Sequence, residues 1–498
     1  MAAVQPLDVV APAAPSFARK LSTIVGLLGA ALHAAFLHLT VGPPAPTWPL
    51  LLSVLTAVIR WRSVSLVRAR HANPPSSPHE VALLAKEQRD STEKLLAVDK
   101  DKLKDGVVIE LEIVVKRRGL GGVLKELDGE ETGGRKLRAE WLAHVDLVKA
   151  PQMARNDKVI LAIHGGAHVR LSPRTHRGLH VLLSGATKCR VFAIDYRLSP
   201  EVRYPASLLD AVNAYFYLTE EVGIPADQII VEGDSAGGNL AIALMMYLRD
   251  AKLPQVGGAI LVSPWSDLST SFASWNENKP HDYLVIDNHA DPLHPPRMYL
   301  SSSIPFLEDS HHTGQLASPY VSPALGPLAS LADLPPLLVQ NGALECLRDE
   351  ITVLVRRARA AGTDTTHQMW SDGVHVFHAL QPVPAATAAR EAAAWLERTL
   401  PRAETGEEEA TAWATSVDRL LREERDARLA RAGPVPRGKP ASAKWVYERR
   451  VVRVAPMRVK ADGLDAARAA AKEAEEVDGG KGETEVFTPR RARCGWFA

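Results

Sequence analysis

A chain of 498 residues, 46 per cent of them hydrophobic, is longer than one catalytic domain of ordinary size and can bury a large core. A formal net charge of +1 excludes bulk nucleic-acid binding. Cys189, Cys346 and Cys494 are too widely spaced for a zinc or redox motif, no Asn-x-Ser/Thr sequon occurs, and no cofactor or metal is implied.

From Leu21 to Ile59 there is no Asp, Glu, Lys or Arg, with Arg19-Lys20 on one side and Arg60, Arg62, Arg68 and Arg70 on the other. The first apolar run, Thr23 to Leu37, is about long enough to span hydrocarbon, although His33 and His38 weaken it. A break at Pro43-Pro44-Ala45-Pro46 precedes a second run, Trp48 to Ile59, too short to span alone. Without a small-residue cleavage pattern, residues 1–70 read as a retained membrane anchor rather than a removable signal, or else as apolar cap helices. The expected location is membrane-associated, with the endoplasmic reticulum as one candidate compartment.

The stretch up to Val107 is polar and helix-prone. Val107 to Val115 alternates partly and predicts an outer strand that ends in the turn Lys116-Arg117-Arg118-Gly119. Glu140-Trp141-Leu142 leads to another edge strand. Strand, helix and strand then alternate to about residue 400, a doubly wound α/β pattern with a mostly parallel sheet.

Two of these strands end in glycine-rich turns. Lys158-Val159-Ile160-Leu161-Ala162-Ile163 runs into His164-Gly165-Gly166-Ala167-His168. Gln228-Ile229-Ile230-Val231-Glu232 runs into Gly233-Asp234-Ser235-Ala236-Gly237-Gly238. A serine at the centre of G-x-S-x-G sits on a sharp, strained strand-to-helix turn that only small neighbours permit. The pentapeptide alone occurs in ordinary loops. The pair, each after its own strand and in this order, points to a serine esterase. The first turn offers backbone N–H groups for a developing oxyanion.

On these motifs the sequence resembles the hormone-sensitive-lipase-like family of α/β-hydrolases. That family carries H-G-G-G, matched here except at Ala167, and G-D-S-A-G-G, matched in full. Asp195-Tyr196-Arg197-Leu198-Ser199-Pro200-Glu201 is similar to its D-Y-R-L-A-P-E segment. Tyr204-Pro205-Ala206 with Asp210-Ala211, and Leu316 to Pro323, match further stretches, so the likeness spans roughly 155–400. It is closest to fungal members that deacetylate sterols or hydrolyse lipid esters. The resemblance implies an α/β-hydrolase fold with a helical cap, an oxyanion hole from the N–H groups of Gly165, Gly166 and Ala236, and His164 shaping the loop behind it.

A serine needs a base, and the base needs an orienting carboxylate, in the order Ser, acid, His on this fold. Pro335 to Gln340 predicts a buried strand ending in Asn341-Gly342-Ala343-Leu344-Glu345-Cys346-Leu347-Arg348-Asp349. The family's D-x-L-x-D maps onto Glu345 to Asp349. Glu345 sits on the loop after the strand and is favoured as the acid, with Asp349 as the alternative. Thr366 to Trp370 predicts a shorter strand leading to Asp372-Gly373-Val374-His375-Val376-Phe377. His375 and Phe377 fit the family's G-x-x-H-x-F, while Asp372 holds the place of its glycine. His375 is therefore the expected base, and His378, one step into the next apolar segment, the local rival.

Residues 401–498 hold 20 Lys/Arg and 17 Asp/Glu, well above the 23 per cent charged of the whole chain. They read as a charged tail, partly helical or disordered, with Glu407-Glu408-Glu409 opening a helix and Gly433-Pro434-Val435-Pro436 stopping it. Three parts result: 1–70 as anchor or cap helices, 71–400 as the catalytic domain, and 401–498 as the tail. The expected reaction is hydrolysis of lipophilic esters, such as sterol acetates or acylglycerols, with membrane contact through the amino terminus. An amidase or peptidase on the same fold, or a non-catalytic binding protein, are the alternatives.

Overall fold

Short runs of Val, Ile and Leu bounded by polar or glycine-containing turns cannot leave either face in water, so they align as parallel strands between layers of helices. The computed structural model describes residues 17–151, 158–285, 289–300, 315–401, 412–432, 445–453, 457–460, 463–477 and 483–491. Its strands are β1 (Gly106–Val114), β2 (Lys136–His144), β3 (Val159–Ile163), β4 (Arg190–Asp195), β5 (Ile229–Asp234), β6 (Gly258–Val262), β7 (Leu337–Gly342), β8 (Thr365–Trp370), β9 (Trp445–Arg453) and β10 (Glu483–Arg491). They form one sheet in the order β1-β2-β4-β3-β5-β6-β7-β8-β10-β9. β3 to β8 and β10 run parallel, β2 is antiparallel to both β1 and β4, and β9 is antiparallel to β10. This is the mostly parallel, doubly wound sheet that the sequence predicts.

The longer helices are α1 (Phe17–Thr40), α2 (Leu50–Ala72), α3 (Pro78–Leu96), α4 (Pro173–Thr187), α5 (Ala206–Phe216), α6 (Ala236–Asp250), α7 (Arg348–Ala360), α8 (Pro382–Thr399), α9 (Ala412–Ala432) and α10 (Asp465–Val477). Alternation along each strand divides the core between the two faces. Val159, Leu161 and Ile163 pack with Leu208, Leu240 and Ile351 of α5, α6 and α7. Ile160 and Ala162 pack with Val181, Leu183, Trp395 and Leu396 of α4 and α8. The chain goes from β3 out to β4, then back past β3 to β5, so the strand order reverses there. A crevice forms beyond the carboxyl ends of strands at such a reversal. Both glycine-rich turns lie at those two ends.

Two sequence readings are corrected. β2 is not an edge strand, because it pairs on both sides and buries Trp141 and Leu142. The stretch 401–498 is not only a tail. Its α9 buries Trp413, Val417 and Leu421 in the core and pairs Asp418 with the fully buried Arg190 at 2.7 Å. Its β9 and β10 extend the sheet beyond β8. A peripheral hairpin keeps most side chains in water, so its apolar signal shrinks to residues such as Phe487, which is 2 % exposed. Glu407 to Glu409, Gly433 to Pro436 and Cys494 lie outside the described residues.

α1 and α2 are both long and apolar enough to cross a membrane, which corrects the expectation that the second run is too short, because α2 continues past Ile59 to Ala72. Leu32, Phe36, Leu39, Val41 and Leu51 are exposed, whereas Trp48 and Leu52 bury against Trp370, Val374, Phe377 and Phe487. Arg70, in the last turn of α2, pairs through Nε with Asp291 Oδ1 at 2.7 Å. α3 lies against the first glycine-rich turn. Its Arg89 donates to Val169 O and Ser199 O at 3.1 Å, and its Glu93 accepts from Ser172 Oγ at 2.8 Å.

Candidate active site

Ser235 occupies the turn between β5 and α6 with φ 52° and ψ −117°, a region that L side chains rarely adopt. The strain is held from both sides: Ser235 N–H donates to Val262 O at 2.9 Å, and Trp265 N–H donates to Ser235 O at 2.9 Å. Glycine is needed where the two turns meet. A Cβ on Gly237 would lie 1.9 Å from Ile163 O, and one on Gly165 would lie 2.2 Å from Asp234 Oδ2.

Ser235 Oγ lies 2.9 Å from His375 Nε2. On the far side of the ring, His375 Nδ1 is 3.8 Å from Glu345 Oε2 and has no hydrogen bond among the described residues. That gap is longer than a hydrogen bond, and catalytic contacts of this kind commonly tighten only in the reacting complex. Ser263 donates its Oγ–H to Glu345 Oε2 at 2.6 Å and accepts from Val376 N–H at 3.1 Å, so it ties the carboxylate to the histidine loop. Asp349 lies elsewhere. It pairs with Arg348 at 2.8 Å and accepts from Ser274 N–H at 3.1 Å at the start of α7. His378 contacts Gln340 Oε1 at 3.2 Å and stacks on Phe377.

Burial alone would lower the proton affinity of His375, but Glu345, with Asp282 and Asp234, outweighs it, and the net direction is up from 6.5. A base must be neutral to accept the serine proton, so activity is lost as pH falls through the raised value. The acid limb of kcat/KM is expected above pH 6.5. A pH–rate profile checks this, and a limb at or below 6.5 contradicts the arrangement.

The expected oxyanion donors divide. Gly165 N–H is taken by Asp234 Oδ1 at 2.8 Å, which corrects its assignment to the hole. Among the described residues, the N–H groups of Gly166, Ala167 and Ala236 make no hydrogen bond. Ala236 opens α6, where the first N–H groups have no intrahelical partner. Ala167, at φ 57°, takes up a backbone conformation that suits glycine, the residue of the resembling motif. His164 stacks on Tyr196 at 4.3 Å, and Tyr196 OH donates to His164 O at 2.8 Å, so the D-Y-R-L segment braces the loop.

Other site residues have no role assigned from the sequence, although Asp234 lies in the G-D-S-A-G-G motif. Asp234 pairs with His176 Nε2 at 3.1 Å. Burial opposes both charges, but each partner favours the other, so His176 is raised to about 9 and Asp234 lowered to about 2. Burial and the His176 charge hold His164 and His180 neutral, near 3. Asp282 is buried beside the histidine loop, accepting from Cys346 N–H at 2.8 Å and His375 N–H at 3.4 Å. Its segment has no regular period to single it out. Among the described residues, no three His, Cys, Asp or Glu side chains gather as metal ligands.

A hydrolysable carbonyl beside Ser235 would meet a nucleophile, a base and unpartnered N–H groups together. Comparison with known proteins agrees with that chemistry. A family model for the alpha/beta hydrolase fold matches residues 160–379. An acetyl-hydrolase of Streptomyces hygroscopicus is 38% identical over 231 residues, covering 46% of this chain and 72% of the relative. An arylesterase of Saccharolobus solfataricus is 28% identical, covering 50% and 77%. The crystal structure of an esterase from the bacterial hormone-sensitive lipase family superimposes with a TM-score of 0.50 at 29% identity, covering 69% of this chain and 98% of that one.

Proposed function

The chain belongs to the hormone-sensitive-lipase-like α/β-hydrolases and is a serine ester hydrolase, and from that premise we propose that it cleaves lipophilic esters at a membrane surface through Ser235, His375 and Glu345. The observation that carries the residue roles is the 2.9 Å contact between Ser235 Oγ and His375 Nε2, with Glu345 across the ring. Ser235 Oγ attacks the ester carbonyl while His375 Nε2 takes its proton. The oxyanion meets the N–H groups of Gly166, Ala167 and Ala236. His375 then protonates the departing alkoxide, leaving an acyl-serine. Water attacks the acyl carbon with the same base and releases the acid. Glu345 faces the imidazolium formed in each half-reaction. The alternative of a non-catalytic binding protein finds no support, since competent residues fill all three positions.

Membrane presentation is supported by the exposed apolar side chains of α1 and the start of α2, flanked by basic residues. A surface that concentrates lipophilic esters beside the site favours sterol acetates or acylglycerols. The name of the Streptomyces relative is compatible with a short acyl group. Full-length protein is expected to pellet with membranes, to resist carbonate extraction, and to hydrolyse a lipophilic acetate on vesicles faster than its matched amide. Full recovery in the carbonate supernatant would refute the membrane part of the reading. Equal turnover of the amide would refute the ester part.

A further inference from the structure

Asp372 stands three residues before His375, where the resembling pattern has glycine. A glycine offers only its backbone to neighbours, but Asp372 is 1 % exposed and is gripped through both main chain and side chain. Its carbonyl accepts from Trp48 Nε1 at 2.9 Å and from Gln381 Nε2 at 3.0 Å. Its Oδ2 accepts from Tyr447 OH at 2.7 Å and from Thr47 Oγ1. Gln381 Oε1 in turn accepts from Val374 N–H at 3.2 Å, one residue before the histidine.

The partners come from far apart in the chain. Thr47 and Trp48 join α1 to α2, and Tyr447 is on β9, so both lie outside the 160–379 stretch matched by the family model. Packing repeats the convergence. Phe487 of β10 stacks on Trp370 at 4.5 Å between ring centres, and Ser371 N–H donates to Phe487 O at 3.1 Å. Trp48 and Leu52 complete the same apolar cluster. The loop before His375 is thus held by segments from both sides of the matched stretch, residues 47–52 and the β9–β10 hairpin. The placement of His375 between Ser235 and Glu345 depends on that loop, and an error of about 1 Å in such a group can cost up to about 100-fold in rate.

We propose that Thr47, Trp48 and Tyr447 are positioning residues for ester hydrolysis, clamping Asp372 so that the amino-terminal hairpin and the carboxyl-terminal strands together hold the His375 loop in register. The proposal rests on the reading of His375 as the base. It makes the amino-terminal hairpin a support of the site even for a substrate dissolved in water.

The test uses full-length protein and a water-soluble short-chain aryl ester. Tyr447→Phe removes one donor and keeps the ring, and Trp48→Phe removes the other donor while keeping a smaller aromatic ring in the cluster. The double variant is expected to lower kcat about tenfold with KM within about twofold. The acid limb of its pH profile should move down, because a displaced His375 loses the raising field of Glu345 while Asp282, Asp234 and burial stay in place. Thr47→Val should weaken kcat and Thr47→Ser should restore it, and this milder pair decides the matter if the double variant does not fold. Unchanged kcat and unchanged acid limb, with only a fall in Tm, would reduce the contacts to structural ones and overturn the proposal. His375→Gln separates the two failures, since near-parental turnover in that variant would instead remove the base assignment.

Discussion

Ser235→Ala should abolish ester turnover, with a loss in kcat of about 10⁶ and no labelling by an organophosphonate. Oγ is the atom that faces His375 Nε2, and the turn Gly233 to Gly238 carries no second hydroxyl side chain. The fold should survive. The turn is held by Ser235 N–H on Val262 O and by Trp265 N–H on Ser235 O, which alanine keeps, and alanine meets the same positive φ without added bulk. Circular dichroism and Tm close to the parent would show this. Undiminished labelling of the variant would mean that another serine is the nucleophile.

Glu345→Gln should lower kcat by about 10⁴, the scale set by loss of a triad acid elsewhere. The amide can fill the same space and keep the Ser263 contact, but it carries no charge to stabilise the imidazolium. The residual activity should show an acid limb at lower pH, because Glu345 is the group that most raises His375 against burial. Asp349→Asn should cost far less in kcat, since Asp349 is engaged by Arg348 and Ser274. A reversed pair of results would move the acid to Asp349. Two small losses would point to Asp282, the other buried carboxylate that bears on His375.

The sequence by itself determined the parts whose physics is local. Five-residue apolar runs such as Val159 to Ile163 had to be buried strands, and the glycine-flanked Ser235 had to sit on a strained turn, because backbone sterics act over a few residues. His375 is singled out by its place after the last predicted strand, and the fold sets its Nε2 2.9 Å from Ser235 Oγ. Tertiary structure decided what depends on where strand ends fall in space. Glu345 and Asp349 are four residues apart, and which of them faces His375 depends on where the loop gives way to α7. Gly165 and Gly166 are adjacent and alike in type, yet Asp234, 69 residues from Gly165, takes the N–H of one and not the other. The β9–β10 hairpin joins the sheet through main-chain pairing with β8, which side-chain composition scarcely records. Asp372 meets Thr47 across 325 residues. Contacts at that separation leave no periodic trace in either segment, and only the folded chain brings them to one carboxylate beside the His375 loop.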